Sequence, residues 1–427
     1  MSKTNFDVCI RGAGIVGRAL ALKLGQAKLR VALVDSGAGG SEQSPRDIRA
    51  YALNHASRQL LESLRCWPDD SAITAVQRME VHGDTTGRVD FDAAQASQPG
   101  AGLDALATTD VQALAWIVDV PALEDVLQTA LRFQSTVEIV TAPVPARLTA
   151  ICEGKFSASR DALGIASHGH DYPQQAIATR VKASQPHGGC ARQWFSGPHI
   201  VALLPLGGAA GDEYAVVWST SCEQAGRLSA LSDSAFAHEL EAIVNGSSND
   251  SANQYAQPGV VSLSLIGSRA RWPLRLSQAT HWCGTMAQTE AVAKASAPPV
   301  PAKNRASNDA DHAAQGPGSW VLLGDAAHTV HPLSGSGLNL GLGDVAALSH
   351  LLLVQPNWRP VHDLRVLRQY ERERKAAMLP FAFATDSLQW LFWQDLPLLQ
   401  SLRNWGMRGV SSSGPLKDWL VRQAMNL

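Results

Sequence analysis

Apolar residues crowd Phe6–Arg11, FDVCIR, and beyond it the period changes. The run reads as a short buried strand, whereas Ile15, Val16, Ala19, Leu20, Leu22 and Leu24 recur at helical spacing across residues 14–27. A second apolar run, residues 29–34, predicts another strand. Strand, glycine turn, helix and strand within about 30 residues form a βαβ unit, which demands a parallel sheet and a right-handed crossover. The pattern therefore predicts an α/β fold. Further along, residues 194–206 and 214–220 carry strand-like runs separated by Gly207, Gly208 and Gly211, the signature of antiparallel hairpins in a second, sheet-rich domain. Beyond Leu340 the pattern is mainly helical.

Between Met286 and Gly318 the chain turns to Ala, Pro, Ser, Asn and Lys with almost no large apolar residue, so it predicts a flexible surface insertion. A length of 427 residues favours two domains sharing an interface. Lys plus Arg number 36 and Asp plus Glu 38, a formal charge of -2, which points away from nucleic acid and anionic lipid as global partners. The six cysteines, Cys9, Cys66, Cys152, Cys190, Cys222 and Cys283, contain no CxxC pair, so neither a zinc site nor a disulfide framework is expected and a reducing cytoplasmic compartment fits. No secretory leader and no long apolar span are read in the sequence.

Gly12, Gly14 and Gly17 form GxGxxG between the first strand and the helix, and Asp35 closes the second strand 21 residues after Gly14. In a dinucleotide site the first glycine permits the turn, the second lets the backbone approach a pyrophosphate and the third lets helix and strand pack. The acidic residue accepts from a ribose hydroxyl. NAD and FAD both remain open at this point. Residues 320–345, WVLLGDAAHTVHPLSGSGLNLGLGDV, supply a second anchor: Asp325 at a strand end can accept from a ribityl hydroxyl. Gly335 and Gly337 bracket a turn, and the amides of Gly337, Leu338 and Asn339 open a helix toward an anion. His328 and His331 lack a third ligand at metal spacing, so His328 is expected to pack beside the strand.

The second segment resembles the GDAAH motif of the aromatic-ring flavin hydroxylases, and the resemblance selects FAD as the cofactor. It is similar above all to the ubiquinone-biosynthesis hydroxylases, through RWPLRLSQA at 271–279, YERER at 370–374 and a family-like tail that includes Leu391, Phe392, Pro397, Leu402, Arg403, Asn404, Gly406, Leu416 and Lys417. The resemblance implies a Rossmann-like FAD-binding domain with a parallel sheet over 1–75, 106–163 and 284–360, a sheet-rich substrate domain over 76–105 and 164–283, and C-terminal helices over 361–427. It places Arg49 near the flavin phosphates and ring and Asp119 near a Glu or Gln contact of the family. Read from the residues alone, the alternatives are a surface arginine at Arg49 and a helix cap before Pro121 at Asp119. It further implies a substrate pocket from residues 194–206 and 214–218, Trp218 included, opposite His331, Pro332 and Leu333. The sequence departs from the family at Glu153-Gly154, where Asp-Gly is usual. It departs again at a shortened 137–153 stretch, expected to be a trimmed β-meander, and at Ser336.

By this resemblance, reduced FAD reacts with oxygen to a C4a-hydroperoxide that hydroxylates the ring of a prenylated phenol in ubiquinone biosynthesis. Electrons come from NAD(P)H or a redox partner. A hydroxylase of another apolar aromatic compound and a non-catalytic flavoprotein scaffold are the alternatives. The aromatic and basic tail suggests contact with the inner membrane or with other ubiquinone-biosynthesis proteins.

Overall fold

The computed structural model describes residues 6–37, 47–83, 87–96, 113–207, 210–246, 262–286, 318–330, 337–356 and 358–393, with backbone alone from 380 onward. The first sheet is built on β1 (Phe6–Arg11), β2 (Val31–Val34), β8 (Val137–Val140), β9 (Ala146–Ile151), β16 (Cys283–Thr285) and β17 (Ser319–Leu322), in the order β16-β17-β9-β1-β2-β8. All pairings are parallel except β16 with β17. Strands β2 and β17 are buried at every position because a parallel sheet is covered on both faces, while edge strand β8 leaves Glu138 and Ile139 exposed. Residues 141–145 join β8 directly to β9 with no strand between them, so no meander is built there.

A three-stranded sheet, β3 (Ala50–Leu53), β4 (Ile73–Val76) and β7 (Ala115–Asp119), stands between this sheet and a larger one. The large sheet comprises β5 (Arg78–His82), β6 (Arg88–Asp92), β10 (Ser167–Ala183), β11 (Cys190–Ser196), β12 (His199–Pro205), β13 (Glu213–Ser221), β14 (Leu263–Leu265), β15 (Ala270–Ala279) and β18 (His328–Thr329). The hairpin region expected at 194–206 turns once more than its apolar run suggests, at Gly197, where φ is +53°.

The helices are α1 (Ile15–Gln26), α2 (His55–Ser63), α3 (Ala93–Ala96), α4 (Val120–Arg132), α5 (Ala158–Ala162), α6 (Cys222–Ala230), α7 (Asp233–Val244), α8 (Gly337–Val354) and α9 (Leu364–Trp393). Helices α1, α4, α8 and α9 pack with the parallel sheet around one core that includes Val8, Ile10, Leu20, Leu123, Val321 and Val345. A second core lies between the large sheet and α6 and α7, and a third, with Val76, Ile117, Leu206 and Ala215, joins the large sheet to the small one.

By length and composition α8 could cross a membrane, a run the sequence reading passed over, yet its buried residues include Asn339 and Asp344, whose polar groups are bonded to protein. It serves as a core helix here. All six cysteines are free thiols. The insertion expected at 286–318 lies outside the described residues except at its ends, where Met286 N donates to Gly318 O at 2.8 Å.

Candidate functional site: a two-anchor dinucleotide cleft

The glycine turn connects β1 to α1, and its three glycines meet three different constraints. Gly12 has φ +106°, and a Cβ there would lie 2.5 Å from Cys152 O. At Gly17 a Cβ would fall 1.9 Å from Gly12 O, so only glycine lets the helix sit this close to the strand. Gly14 differs: a Cβ would meet nothing within 4 Å, and as N-cap it offers no side-chain partner to the first turn of α1. Amides with no intrahelical acceptor therefore face open space, the arrangement that receives a pyrophosphate. Asp35 follows β2 and accepts from Gly37 N at 3.1 Å through Oδ1. Beside the turn, Arg11 Nη1 donates to Ser159 Oγ at 3.0 Å, while its buried Nε has no partner among the described residues.

The second anchor is the tight turn Gly324–Ala326 after β17. Asp344 Oδ2 accepts from Gly324 N at 2.8 Å, Arg160 Nη1 donates to Ala326 O at 3.3 Å, and Leu323 N donates to Ile151 O at 3.0 Å. So braced, the turn presents Asp325, whose carboxylate has no hydrogen-bond partner among the described residues. Burial pushes its pKa above the ordinary carboxylate value, against the pull of His328, Lys155 and Arg49. An acceptor in this state suits a ligand hydroxyl. The two anchors adjoin: Val16 Cγ2 would lie 3.4 Å from a Cβ on Gly324 and 2.7 Å from one on Gly341 of α8. The structure thus brings Gly12, Gly14, Gly17, Asp325, Gly337, Leu338 and Asn339 into one region. Gly335, His331, Pro332 and Leu333 lie outside the described residues.

Asn339 contributes more than its amide. Its Oδ1 accepts from Asn54 N at 3.0 Å and Ser57 Oγ at 2.8 Å, and its Nδ2 donates to Ala52 O at 2.7 Å, which docks the start of α8 on β3. Glu153, where the family has Asp, is occupied internally. Its carboxylate accepts from Ser157 Oγ at 2.8 Å, Ser159 N at 2.8 Å and Ser159 Oγ at 2.6 Å. Burial raises its pKa, but these donors and Arg11 more than offset that and keep it low. It shapes the loop from which Arg160 reaches the Asp325 turn.

Arg49 Nε donates to Asp47 Oδ1 at 3.0 Å, and its guanidinium stands 5.7 Å from the Tyr51 ring centroid. Asp119 occupies the N-cap position of α4 but makes no side-chain cap; it pairs instead with Arg180 of β10. Trp218 requires a correction. It is 1% exposed, its indole donates to His199 Nδ1 at 3.2 Å, and it packs on Phe236 beneath α6 and α7, on the face of β13 turned away from the three-stranded sheet. Its strand neighbours Val217 and Ser219 share the opposite face with Ala215, Ala202 and Ala178.

Sequence reasoning missed Asp344 and Arg374 as a unit. Asp344 Oδ2 is 2.7 Å from His328 Nε2, its Oδ1 2.7 Å from Arg374 Nε, and Arg374 Nη2 donates to Leu340 O at 3.1 Å. His328 also packs on Trp282, with ring centroids 5.0 Å apart.

A parallel sheet that carries both anchors, joined to a large and mainly antiparallel sheet, is the fold shared with FAD-dependent monooxygenases of known structure. The p-nitrophenol 4-monooxygenase PnpA from Pseudomonas putida DLL-E4 superposes with a TM-score of 0.68 at 17% identity, covering 99% of this chain and 98% of that one. The flavin-dependent brominase Bmp2 shares the fold at a TM-score of 0.64 and 12% identity over 99% and 94% of the two chains. Residues 288–379 match the family model described as FAD binding domain, a span that starts within the Ala- and Pro-rich stretch. The chain thus has the fold of FAD-dependent monooxygenases and matches an FAD binding domain over part of its length.

The chain is also similar to ubiquinone hydroxylases. It is 26% identical to the human "Ubiquinone biosynthesis monooxygenase COQ6, mitochondrial" over 98% of this chain and 92% of that protein. It is likewise 26% identical to the ubiquinone hydroxylase UbiL of Rhodospirillum rubrum over 98% and 89%. The rat counterpart of the human protein is 31% identical over 63% of this chain, a match spanning 54% of the rat protein.

Proposed function

We propose that the protein uses FAD and molecular oxygen to hydroxylate the ring of a prenylated phenol in ubiquinone biosynthesis. The observation that carries the cofactor half is the pair of adjoining anchors: open space in front of Gly14 and an unpartnered Asp325 carboxylate. FAD fits them, with its pyrophosphate at the start of α1, a ribityl hydroxyl on Asp325 and the ring end toward the start of α8. The chemistry that FAD supplies when bound and reduced is activation of oxygen, one atom passing to the ring and the other leaving as water. The protein orients the phenol, excludes water and offers a helix N-terminus to developing negative charge.

The substrate half rests on the names of the relatives and on the large sheet. Its face toward the three-stranded sheet carries Ala176, Ala178, Ala202, Val217 and Ser219, a mostly small and apolar surface of the kind an aromatic ring packs on. NAD(P)H or a redox partner is the proposed electron source, and the tail after Pro380, whose side chains lie outside the described residues, is the proposed contact with the inner membrane on its cytoplasmic side. The fold alone does not choose the reaction, since a brominase shares it.

The test is direct. Purified protein should show flavin bands near roughly 375 and 450 nm. With a reductant, oxygen and a short-chain prenylphenol it should give a product heavier by one oxygen atom. A protein that carries flavin and consumes oxygen but returns the phenol unchanged would remove the substrate assignment.

A further inference from the structure

Arg180 belongs to the large sheet, on the face of β10 turned toward the three-stranded sheet. Its guanidinium pairs with Asp119 Oδ1 through Nη2, and its Nε donates to Ile48 O at 3.1 Å. Its own backbone is pinned, since Ile266 N donates to Arg180 O at 3.0 Å. Both partners of the guanidinium adjoin Arg49: Ile48 precedes it in sequence, and Val120 N, following Asp119, donates to Arg49 O at 3.3 Å. The Asp47–Arg49 pair hangs from the same loop. One cation from the substrate sheet therefore holds the loop that carries Arg49 and the start of α4. A charge-assisted grip from two points of one planar guanidinium fixes direction as well as distance.

We propose that Arg180 is a positioning residue for the cofactor: by gripping Asp119 and the Ile48 carbonyl it sets Arg49 and the α4 N-terminus in the arrangement that receives FAD. The inference rests on the reading of Arg49 and Asp119 as part of the flavin site. Asp119 then acts through Arg180 and not by touching the flavin. Without the guanidinium, Asp119 keeps no cation and the Ile48 carbonyl no donor among the described residues, so the loop is free to rearrange while the fold's cores stay packed.

The experiment compares FAD dissociation constants of apoprotein, by flavin fluorescence titration, with melting temperatures for wild type, Arg180→Gln, Arg180→Lys, Asp119→Asn and the Arg180→Gln/Asp119→Asn double variant. Arg180→Gln and Asp119→Asn should each raise Kd about tenfold. The double variant should be no worse than either single one, because one interaction is being removed. Lysine, which keeps the charge but not the two-point fork, should recover part of the loss, and melting temperatures should move little. Wild-type Kd in Arg180→Gln, or additive losses in the double variant, would overturn the proposal. So would equal losses in the Lys and Gln variants. If Arg180→Gln fails to fold, unchanged FAD affinity in Asp119→Asn overturns it. A wild-type protein without FAD affinity would instead remove the flavin reading itself.

Discussion

Asp344 Oδ2 lies 2.7 Å from His328 Nε2 where neither side chain meets solvent, their exposures being 0% and 1%. The same carboxylate accepts from Gly324 N and pairs with Arg374, so a single buried anion connects α9, α8 and the turn that presents Asp325. Burial alone would raise its pKa; His328 and Arg374 more than offset that and hold it below the ordinary value. The carboxylate is therefore a stabilising group above the ordinary Asp range, and that contribution fades as pH falls through its lowered pKa.

Asp344→Asn keeps the shape and removes the charge, leaving the half-buried Arg374 without its anion. Denaturant unfolding should show a loss of about 3 kcal/mol, typical of breaking one side of a buried pair. Flavin content should fall with it, since Gly324 loses its charged acceptor. A stability change under about 0.5 kcal/mol, the scale of ordinary surface substitutions, would show that the triad contributes little.

The glycines of the first motif should separate cleanly. Gly14→Val has open space ahead of its side chain, so the protein should fold with a near-native melting temperature yet purify pale, the valine occupying the pyrophosphate's place. Gly17→Ala places a methyl 1.9 Å from Gly12 O and should cost about 3 kcal/mol of stability through overpacking. Equal melting temperatures for the two would contradict this division of roles.

Asp325→Asn should trade affinity for stability. Because burial raises the Asp325 pKa, the folded protein holds that proton to higher pH than the unfolded chain, so the ionised form is a cost above the raised value and no cost below the ordinary 3.8. Apoprotein of the variant should be the more stable at neutral pH, with the difference vanishing toward acid. Its FAD affinity should fall about 10- to 100-fold, the range for a lost bond to a charged acceptor. Unchanged flavin affinity would place the ribityl chain elsewhere.

Truncation after Pro380 leaves Tyr370, which donates to Leu322 O at 3.1 Å, and Arg374 in place. The shortened protein should keep FAD and hydroxylate a short-chain analogue while losing binding to anionic liposomes. Retained liposome binding would show that the membrane contact lies in another part of the protein.

What could be read from the residue pattern was local. The strand–glycine–helix–strand unit is visible because its constraints fall within about 30 residues; the Asp325 turn is visible because a buried strand ends on it. The face of β13 is not visible in the sequence: Tyr214 to Ser221 packs on both sides, so its apolar run has no alternation to show that Trp218 turns away from the expected pocket. Arg180 and Asp119 stand 61 residues apart, and Asp344 and Arg374 stand 30 apart on different helices. No spacing rule relates such pairs, and only the packing of sheets and helices brings them together. Glu153 was legible as a departure but not as a change of employment, from a family position near the cofactor to a brace of its own loop.

The bond from Met286 N to Gly318 O, next to the Thr285 and Ser319 pair, closes β16 and β17 into a neck. That closure fixes the register of β17 and so the approach to Asp325. Chain strung between its two sides can be lengthened or shortened at a closure cost of about 0.6 kcal/mol per doubling, without shifting the register of the strand that leads to Asp325. A lineage carrying this fold therefore has a place to acquire or discard whole segments while the cofactor turn stays in position, and an experimenter has a port for mounting cargo.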